Sequence, residues 1–302
     1  MLPDLQNSED RRGIPINRVG IQNVDFPMTV ITKDGQHVNT QAKVSLFVSL
    51  PSEYKGANMS RFSEVLIDHQ DKYMSPEAVF EMATSLKERM KSQDAWIRFE
   101  FNYFMDKAAP VSGKSLKQAH KVAFSHAVRD LTDTPMIEVS VIGASVCPCS
   151  KEMSLRQMVD STKDLTVPIK QIKVGNLAFE MTPPVLQSAL FGLGAHNQRC
   201  TVRVQVIPKE NTFIYFEDLI ELIDKEFSVP VYPILKRPDE QFVTITGYLN
   251  PKFVEDIARD VAIALNKVDT IDKYHISVTS EESIHPHDCK SIIHSPNWKQ
   301  YE

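Results

Sequence analysis

Apolar and polar positions alternate with a period of two over several stretches of the chain. Across 41–50, Ala42, Val44, Leu46, Val48 and Leu50 fall on one side while Lys43, Ser45 and Ser49 fall on the other, as a half-buried strand requires. The stretch 95–103 repeats the pattern, with Ile97, Phe99, Phe101 and Tyr103 set against Arg98, Glu100 and Asn102. Further strands are predicted over 117–129, 135–146, 199–207, 274–280 and 289–293; in 199–207, Val202, Val204 and Val206 alternate with Thr201, Arg203 and Gln205. Helical spacing shows in three places. Ser75 caps a stripe of Val79, Met82, Ala83, Leu86 and Met90, with Pro76 in its first turn. Phe216, Leu219, Ile220 and Ile223 form a second stripe, and Val254, Ile257, Ala258, Val261 and Leu265 a third after Asn250-Pro251. Residues 1 to about 20 are polar and turn-rich, and read as an arm or an early edge element.

This order fits antiparallel strands with helices on one face better than regular strand-helix-strand crossovers, so the expected class is α+β. The plan recurs, which predicts two similar modules at 1–133 and 134–302, although no residue-level self-similarity supports the repeat. Between 150 and 194 the pattern loosens, with Pro183-Pro184 near its end. A loop with short helical pieces and a cover over a site beginning at Cys147 are both compatible with it.

Composition narrows the function classes. Of the 302 residues, 42% are hydrophobic, enough for a full-sized core, which excludes a disordered chain. The formal charge of -5 is spread without a long basic block, so nucleic acid is not an expected partner. No stretch reaches the roughly 18 apolar residues of a membrane helix and the first residues lack a secretory signal, so no membrane is expected and the expected compartment is the cytoplasm. Cysteines stand at 147, 149, 200 and 289. Cys147 and Cys149 are too close for an ordinary bridge and lack the paired spacing of structural zinc, leaving thiols for packing, catalysis or metal ligation.

Cys147 follows an apolar strand in V-C-P-C-S-K-E, where Pro148 removes a ladder donor and marks a strand end that can expose a thiolate. A buried inert thiol is the alternative for either cysteine. His196, in G-L-G-A-H-N-Q-R-C, offers a base or a ligand beside amide and cationic donors, or a structural hydrogen bond. Glu240, in K-R-P-D-E-Q, can give a metal a hard oxygen, and Glu255, in N-P-K-F-V-E-D, can accept hydrogen bonds from a base; both can equally be surface carboxylates. His285 and His287, in E-E-S-I-H-P-H-D-C, are placed on one face if extended and can move a proton near neutral pH, or are simply solvated. One Cys, one His and one Glu would leave a transition metal an open position for water.

Together with N-M-S-R-F at 58–62 and K-A-A-P-V-S-G at 107–113, these runs resemble the type IB GTP cyclohydrolases, the zinc-independent class that begins folate synthesis. The resemblance covers almost the whole chain in order. It implies the tunnelling fold in two tandem modules, commonly a homotetramer, converting GTP and water to 7,8-dihydroneopterin triphosphate and formate for folate and, in many bacteria, queuosine synthesis. It also implies Cys147, His196 and Glu240 as metal ligands, Glu255 as the guanine anchor and His285 as the proton-transfer histidine. The metal implied is manganese or another divalent transition ion, zinc included. Arg61, Lys114, Lys151 and Arg199 are candidates for the triphosphate. Two features depart from the family's shorter form: residues 153–193 intervene between C-P-C-S-K-E and G-A-H-N-Q-R, and F-V-T-I-T-G-Y at 242–248 lacks an acidic residue common after V-T. Two rival readings are a cysteine-dependent nitrile reductase of the same fold, whose closely spaced serine, lysine and tyrosine are not evident, and a non-enzymatic metal-stabilised assembly protein.

Overall fold

Where apolar residues alternate, they pave one side of a single large sheet. The computed structural model describes residues 8–70, 72–129, 133–162, 170–174, 177–181, 194–296 and 298. Its first half runs β1 (Ile16–Ile31), β2 (His37–Leu50), α1 (Met59–Ile67), β3 (Tyr73–Met74), α2 (Pro76–Met90), β4 (Ala95–Ala108) and β5 (Ser115–Val128). The chain continues through β6 (Asp133–Val146), α3 (Pro148–Thr162), β7 (Lys170–Val174), β8 (Leu177–Met181), β9 (Asn197–Pro208) and α4 (Phe216–Asp224). It ends with β10 (Val229–Pro230), α5 (Arg237–Leu249), α6 (Val254–Leu265), β11 (Ile271–Ser280) and β12 (Cys289–His294).

Ten strands form one sheet in the order β12-β11-β9-β6-β5-β4-β2-β1-β3, with β10 added beside β6; β7 and β8 pair separately. The long neighbours are all antiparallel, and only the two-residue β3 lies parallel to β1. Apart from the two-residue β3 and β10 and the α3–β7–β8 excursion, two long strands, a helical stretch and two more strands occur on each side of the β5/β6 junction, in the α+β architecture expected. Val44, Leu46, Phe99, Val139, Val204 and Ile276 are fully buried under the stripes of α2, α4 and α6, which contribute Met82, Leu86, Leu219, Ile223, Ile257 and Leu265 to the same core. Ser75 caps α2 as expected, its hydroxyl accepting from Ala78 N at 3.2 Å, an interaction worth about 1 kcal/mol.

On the other face of the sheet the polar positions are also organised. Glu138 on β6 accepts from Arg98 on β4 at 3.0 Å, from Arg203 on β9 at 2.6 Å and from Gln205 at 2.8 Å. Burial works to raise its carboxyl, but the bonds from Arg203 and Arg98 outweigh it and hold the group below its ordinary range.

The structure refines the sequence reading in several places. Residues 1 to about 20, read as an arm or an early edge element, lead into β1 at Ile16, which lies at the edge of the sheet with just the two-residue β3 beyond it; its alternation is hidden by register shifts between Ile16 and Val19 and between Ile21 and Val24, with Asn23 at φ 59. Gly20 permits the tight crossing there, since a Cβ would lie 1.9 Å from Leu46 O. The stretch 150–194, read as a loop with short helical pieces or as a cover over the Cys147 site, carries most of the 15-residue helix α3 and the β7/β8 hairpin, while Pro183-Pro184 lies outside the described residues. The K-R-P-D-E-Q run lies in α5, which buries only Asp239 and Gly247 and so has no apolar stripe to betray it. Cys149 is exposed, which sets aside the buried inert thiol as a reading of that position.

Candidate active site

The C-terminal end of β6 is where several distant segments are tied together. Val146 N donates to Ser228 Oγ at 3.0 Å, and Lys252 N donates to Val146 O at 3.1 Å. One residue later, Cys147 N donates to His196 O at 3.0 Å, carrying the β6/β9 ladder one step past its last pair, Val146 and Asn197. Residues directly opposite in an antiparallel pair present their side chains to the same side, so Cys147 and His196 are brought together by the sheet itself. The first turn of α3 locks the arrangement: Ser150 Oγ donates to Cys147 O at 3.3 Å and accepts from His196 N at 3.2 Å. Ser154 Oγ donates to Gly194 O at 2.8 Å, so the long excursion leaves and returns at one place.

His196 is oriented by a relay that the sequence did not disclose. Glu282, whose side chain is 9% exposed, accepts from Gln198 Nε2 at 3.0 Å. A carboxylate can only accept, so this bond fixes the amide with Oε1 turned to His196 Nδ1, 3.0 Å away. Nδ1 therefore carries the proton and Nε2 presents its lone pair, the tautomer a metal ligand or a base requires. Cys289 shares Glu282: burial pushes its thiol up, helped by a hydrogen bond with Glu282 and the charges of Glu255 and Asp288. Glu255, exposed in the first turn of α6, thus stands near the Glu282 relay. Gln198 lies two residues after His196 and Glu282 three before His285; only their place inside the quoted motifs could have signalled them.

The remaining candidates divide by position. Lys151 and Arg199 belong to the Cys147 end: Lys151 N donates to Cys147 O at 3.3 Å, and Arg199 on β9 is paired with Ala144 and exposed. Lys114 sits in the exposed β4/β5 turn, which the Lys121 to Ser140 register carries to the same end of the sheet. Glu240 is exposed on α5, seven residues before Gly247, whose Cβ position is 3.3 Å from Val146; that is about 10 Å along the helix. Arg61 donates to Arg89 O at 3.2 Å on the first helix pair, and β1 and β6 are four strand spacings apart, about 19 Å, so this chain does not join Arg61 to Cys147. His285 and His287 lie in an exposed bend rather than a strand, yet their rings stack with centroids 5.1 Å apart. Among the described residues, no three His, Cys, Asp or Glu side chains are grouped closely enough to hold a metal ion. Cys147 and His196 are therefore assembled by this chain, whereas Glu240 is not joined to them.

Cleft size does not find this site. A cleft of about 1160 Å3 lies over the start of β6, lined by Phe80, His126, Arg129, Asp133 and Phe213, about 40 Å along the strand from Cys147. None of the expected site residues line it. His126 there contacts Asp133, and burial pushes its pKa down to about 4.

A thiol and an imidazole at a sheet end, with carboxylates nearby, make up a class of donor set of the kind a borderline-soft metal accepts. The comparisons with known proteins narrow that class. Residues 2–291 match the sequence profile described as type I GTP cyclohydrolase FolE2. The GTP cyclohydrolase FolE2 of Thermosipho africanus is 35% identical over 292 residues, covering 97% of each chain. That of Nitrosomonas eutropha is 35% identical over 293 residues, covering 97% of this chain and 95% of its own. The chain belongs to the type I GTP cyclohydrolase FolE2 family, and its enzyme class is GTP cyclohydrolase. Among solved structures, uricase from Arthrobacter globiformis overlays with a TM-score of 0.47 at 8% identity, covering 93% of this chain and 94% of its own. A uricase from Bacillus fastidious gives 0.46 at 6% identity, covering 94% of each.

Proposed function

We propose that the Cys147 end of the sheet opens the guanine imidazole ring of GTP, yielding 7,8-dihydroneopterin triphosphate and formate as the first step of tetrahydrofolate synthesis. The pairing of Cys147 with His196, whose tautomer is fixed by Gln198 and Glu282, carries this reading. The donor chemistry fits a divalent transition metal: Cys147 Sγ and His196 Nε2 would hold it, with Glu240 as the third ligand that the family resemblance assigns. When bound, such an ion supplies the Lewis acidity that turns water into a nucleophile for C8. Glu255 accepts hydrogen bonds from the guanine edge, and Lys151, Lys114 and Arg199 face the triphosphate, with Arg61 the fourth candidate. His285 returns a proton to the ring nitrogen as the C8–N9 bond opens. Ring opening and release of formate each consume a water, and closure of the pterin ring returns one, so one water is used overall.

Around this site, the reading includes a homotetramer acting in the cytoplasm and two modules meeting at the β5/β6 junction, 1–133 and 134–302, with an insertion at about 153–193. No helix among the described residues is long and apolar enough to cross a membrane. The metal is manganese or another divalent ion, zinc included, and can be tested directly. Stripping the ions should abolish turnover, and restoring Mn2+, Zn2+ or Fe2+ singly should recover it. The Cys147→Ala protein should retain less metal than wild type by elemental mass spectrometry. Folded protein that turns over equally without any ion, or a Cys147→Ala variant with unchanged metal content, would contradict the assignment.

A further inference from the structure

The last residues of β6 lose a strand neighbour just before they reach Cys147. The β5/β6 pairing ends at Lys121 and Ser140, and beyond it that side of β6 is taken by β10, with Pro230 opposite Gly143 and Val229 opposite Ala144. Continued by two residues, the same register would set Phe227 opposite Val146 and close a further pair of backbone bonds. The chain does not take that course. Val146 N donates to the Ser228 hydroxyl at 3.0 Å, and Val146 O accepts from Lys252 N at 3.1 Å. Phe227 O accepts instead from the Asn250 side chain, whose Nδ2 donates to it at 3.2 Å and to Ser228 O at 3.1 Å. Ser228 is 1% exposed and Val146 4%, so bulk water does not stand in for these partners. Asn250 opens the N-P-K-F-V-E-D run, and no step of the proposed reaction uses its side chain. Its N–H closes α5 on Thr246 O at 3.0 Å, so the link from the helix of Glu240 to the helix of Glu255 runs past Val146.

We propose that Ser228 is a positioning residue for the reaction: its hydroxyl, held in place by Asn250, fixes the Val146 backbone and so sets where the Cys147 thiol stands relative to His196. Val146 N and Val146 O belong to consecutive peptide groups, each a rigid plane. Holding both at once fixes the two backbone dihedrals of Val146 and the direction in which the chain reaches Cys147. The second of these planes also carries the Cys147 N–H that donates to His196 O at 3.0 Å, so the clasp and the β6/β9 ladder act on one peptide group from opposite edges. Displacing a reacting group by about 1 Å can cost about 100-fold in rate.

This role rests on the proposed part of Cys147 in opening GTP, and the test keeps the two apart. Ser228→Ala removes one hydroxyl and leaves the buried Val146 N–H without an acceptor. Its kcat for GTP should fall about 10-fold with KM within about 2-fold, and its melting temperature should drop by about 5 °C. Hydrogen exchange in the metal-free protein, followed by mass spectrometry on peptides spanning 141–149, should quicken about 10-fold at the Val146 and Cys147 amides. Ser228→Thr keeps the acceptor and should recover kcat toward wild type. Asn250→Ala leaves the hydroxyl but removes both donors that hold its segment; it should lower kcat at unchanged KM with the same faster exchange, and it decides the matter if Ser228→Ala does not fold. A folded Ser228→Ala protein that only melts earlier, with kcat within about 2-fold of wild type, overturns the proposal. So does a fall in kcat without faster exchange at Val146 and Cys147. Wild-type protein that turns over no GTP overturns the function reading and this role with it, an outcome distinct from an active wild type matched by its Ser228→Ala variant.

Discussion

Cys147→Ala should lower kcat/KM for GTP by more than about 100-fold, the upper end of what losing an outer-shell partner of a metal costs. The loss should come without unfolding. Cys147 is only partly buried, and its backbone bonds, from its N–H to His196 O and from Lys151 N and Ser150 Oγ to its carbonyl, survive the substitution. Thermal unfolding should therefore stay close to wild type while turnover disappears. Cys149→Ala supplies the contrast, since that thiol is exposed and its loss should leave turnover within a few fold of wild type. Equal losses in the two variants would show that the segment acts as a loop and not through one thiol.

Asp239→Ala should be the most destabilising single change near the site, lowering the melting temperature by roughly 5–10 °C. Asp239 is fully buried, and its two oxygens close four hydrogen bonds. Oδ1 accepts from Val111 N and Ser112 N, both at 2.8 Å; Oδ2 accepts from Ser112 Oγ at 2.7 Å and Lys236 N at 2.8 Å. Burial works to raise the carboxyl, but the bonds from Ser112, Lys236 and Val111 outweigh it and hold the group well below the usual carboxylate range. One side chain thus fastens the β4/β5 turn that carries Lys114 to the start of the helix that carries Glu240. Alanine leaves those donors without an acceptor, so both candidates lose their footing. Asp239→Asn keeps an acceptor for one pair of donors and turns an NH2 toward the other, so its melting temperature should fall between alanine and wild type. An alanine variant as stable as wild type would show that the turn is held by other contacts.

Elements with a clean period are legible in the amino-acid sequence. The stripes at Val79, Met82 and Leu86 and at Val254, Ile257 and Val261 form α2 and α6 because their apolar faces are the helix cores. The alternation in β2, β4 and β9 is clean because one face of the sheet is covered by helices and the other carries Arg98, Glu138 and Arg203. What the pattern hides has physical causes. In β1 two register shifts reverse which residues face the core, so alternation cancels along its length. In α5 the buried positions are an aspartate and a glycine, which no hydrophobic count can register. At the site, Cys147 and His196 are legible as motif residues, but their pairing is set by the β6/β9 register. Glu282 and Gln198 act through a hydrogen-bond direction that composition does not encode.

The most direct test of the account is a single assay of purified wild-type protein with GTP and one divalent ion, following formate and dihydroneopterin triphosphate together. The account predicts one formate for each pterin formed, and neither product from Cys147→Ala. Folded wild-type protein that yields neither product with any of Mn2+, Zn2+ or Fe2+, or a Cys147→Ala protein that yields both at the wild-type rate, would contradict it.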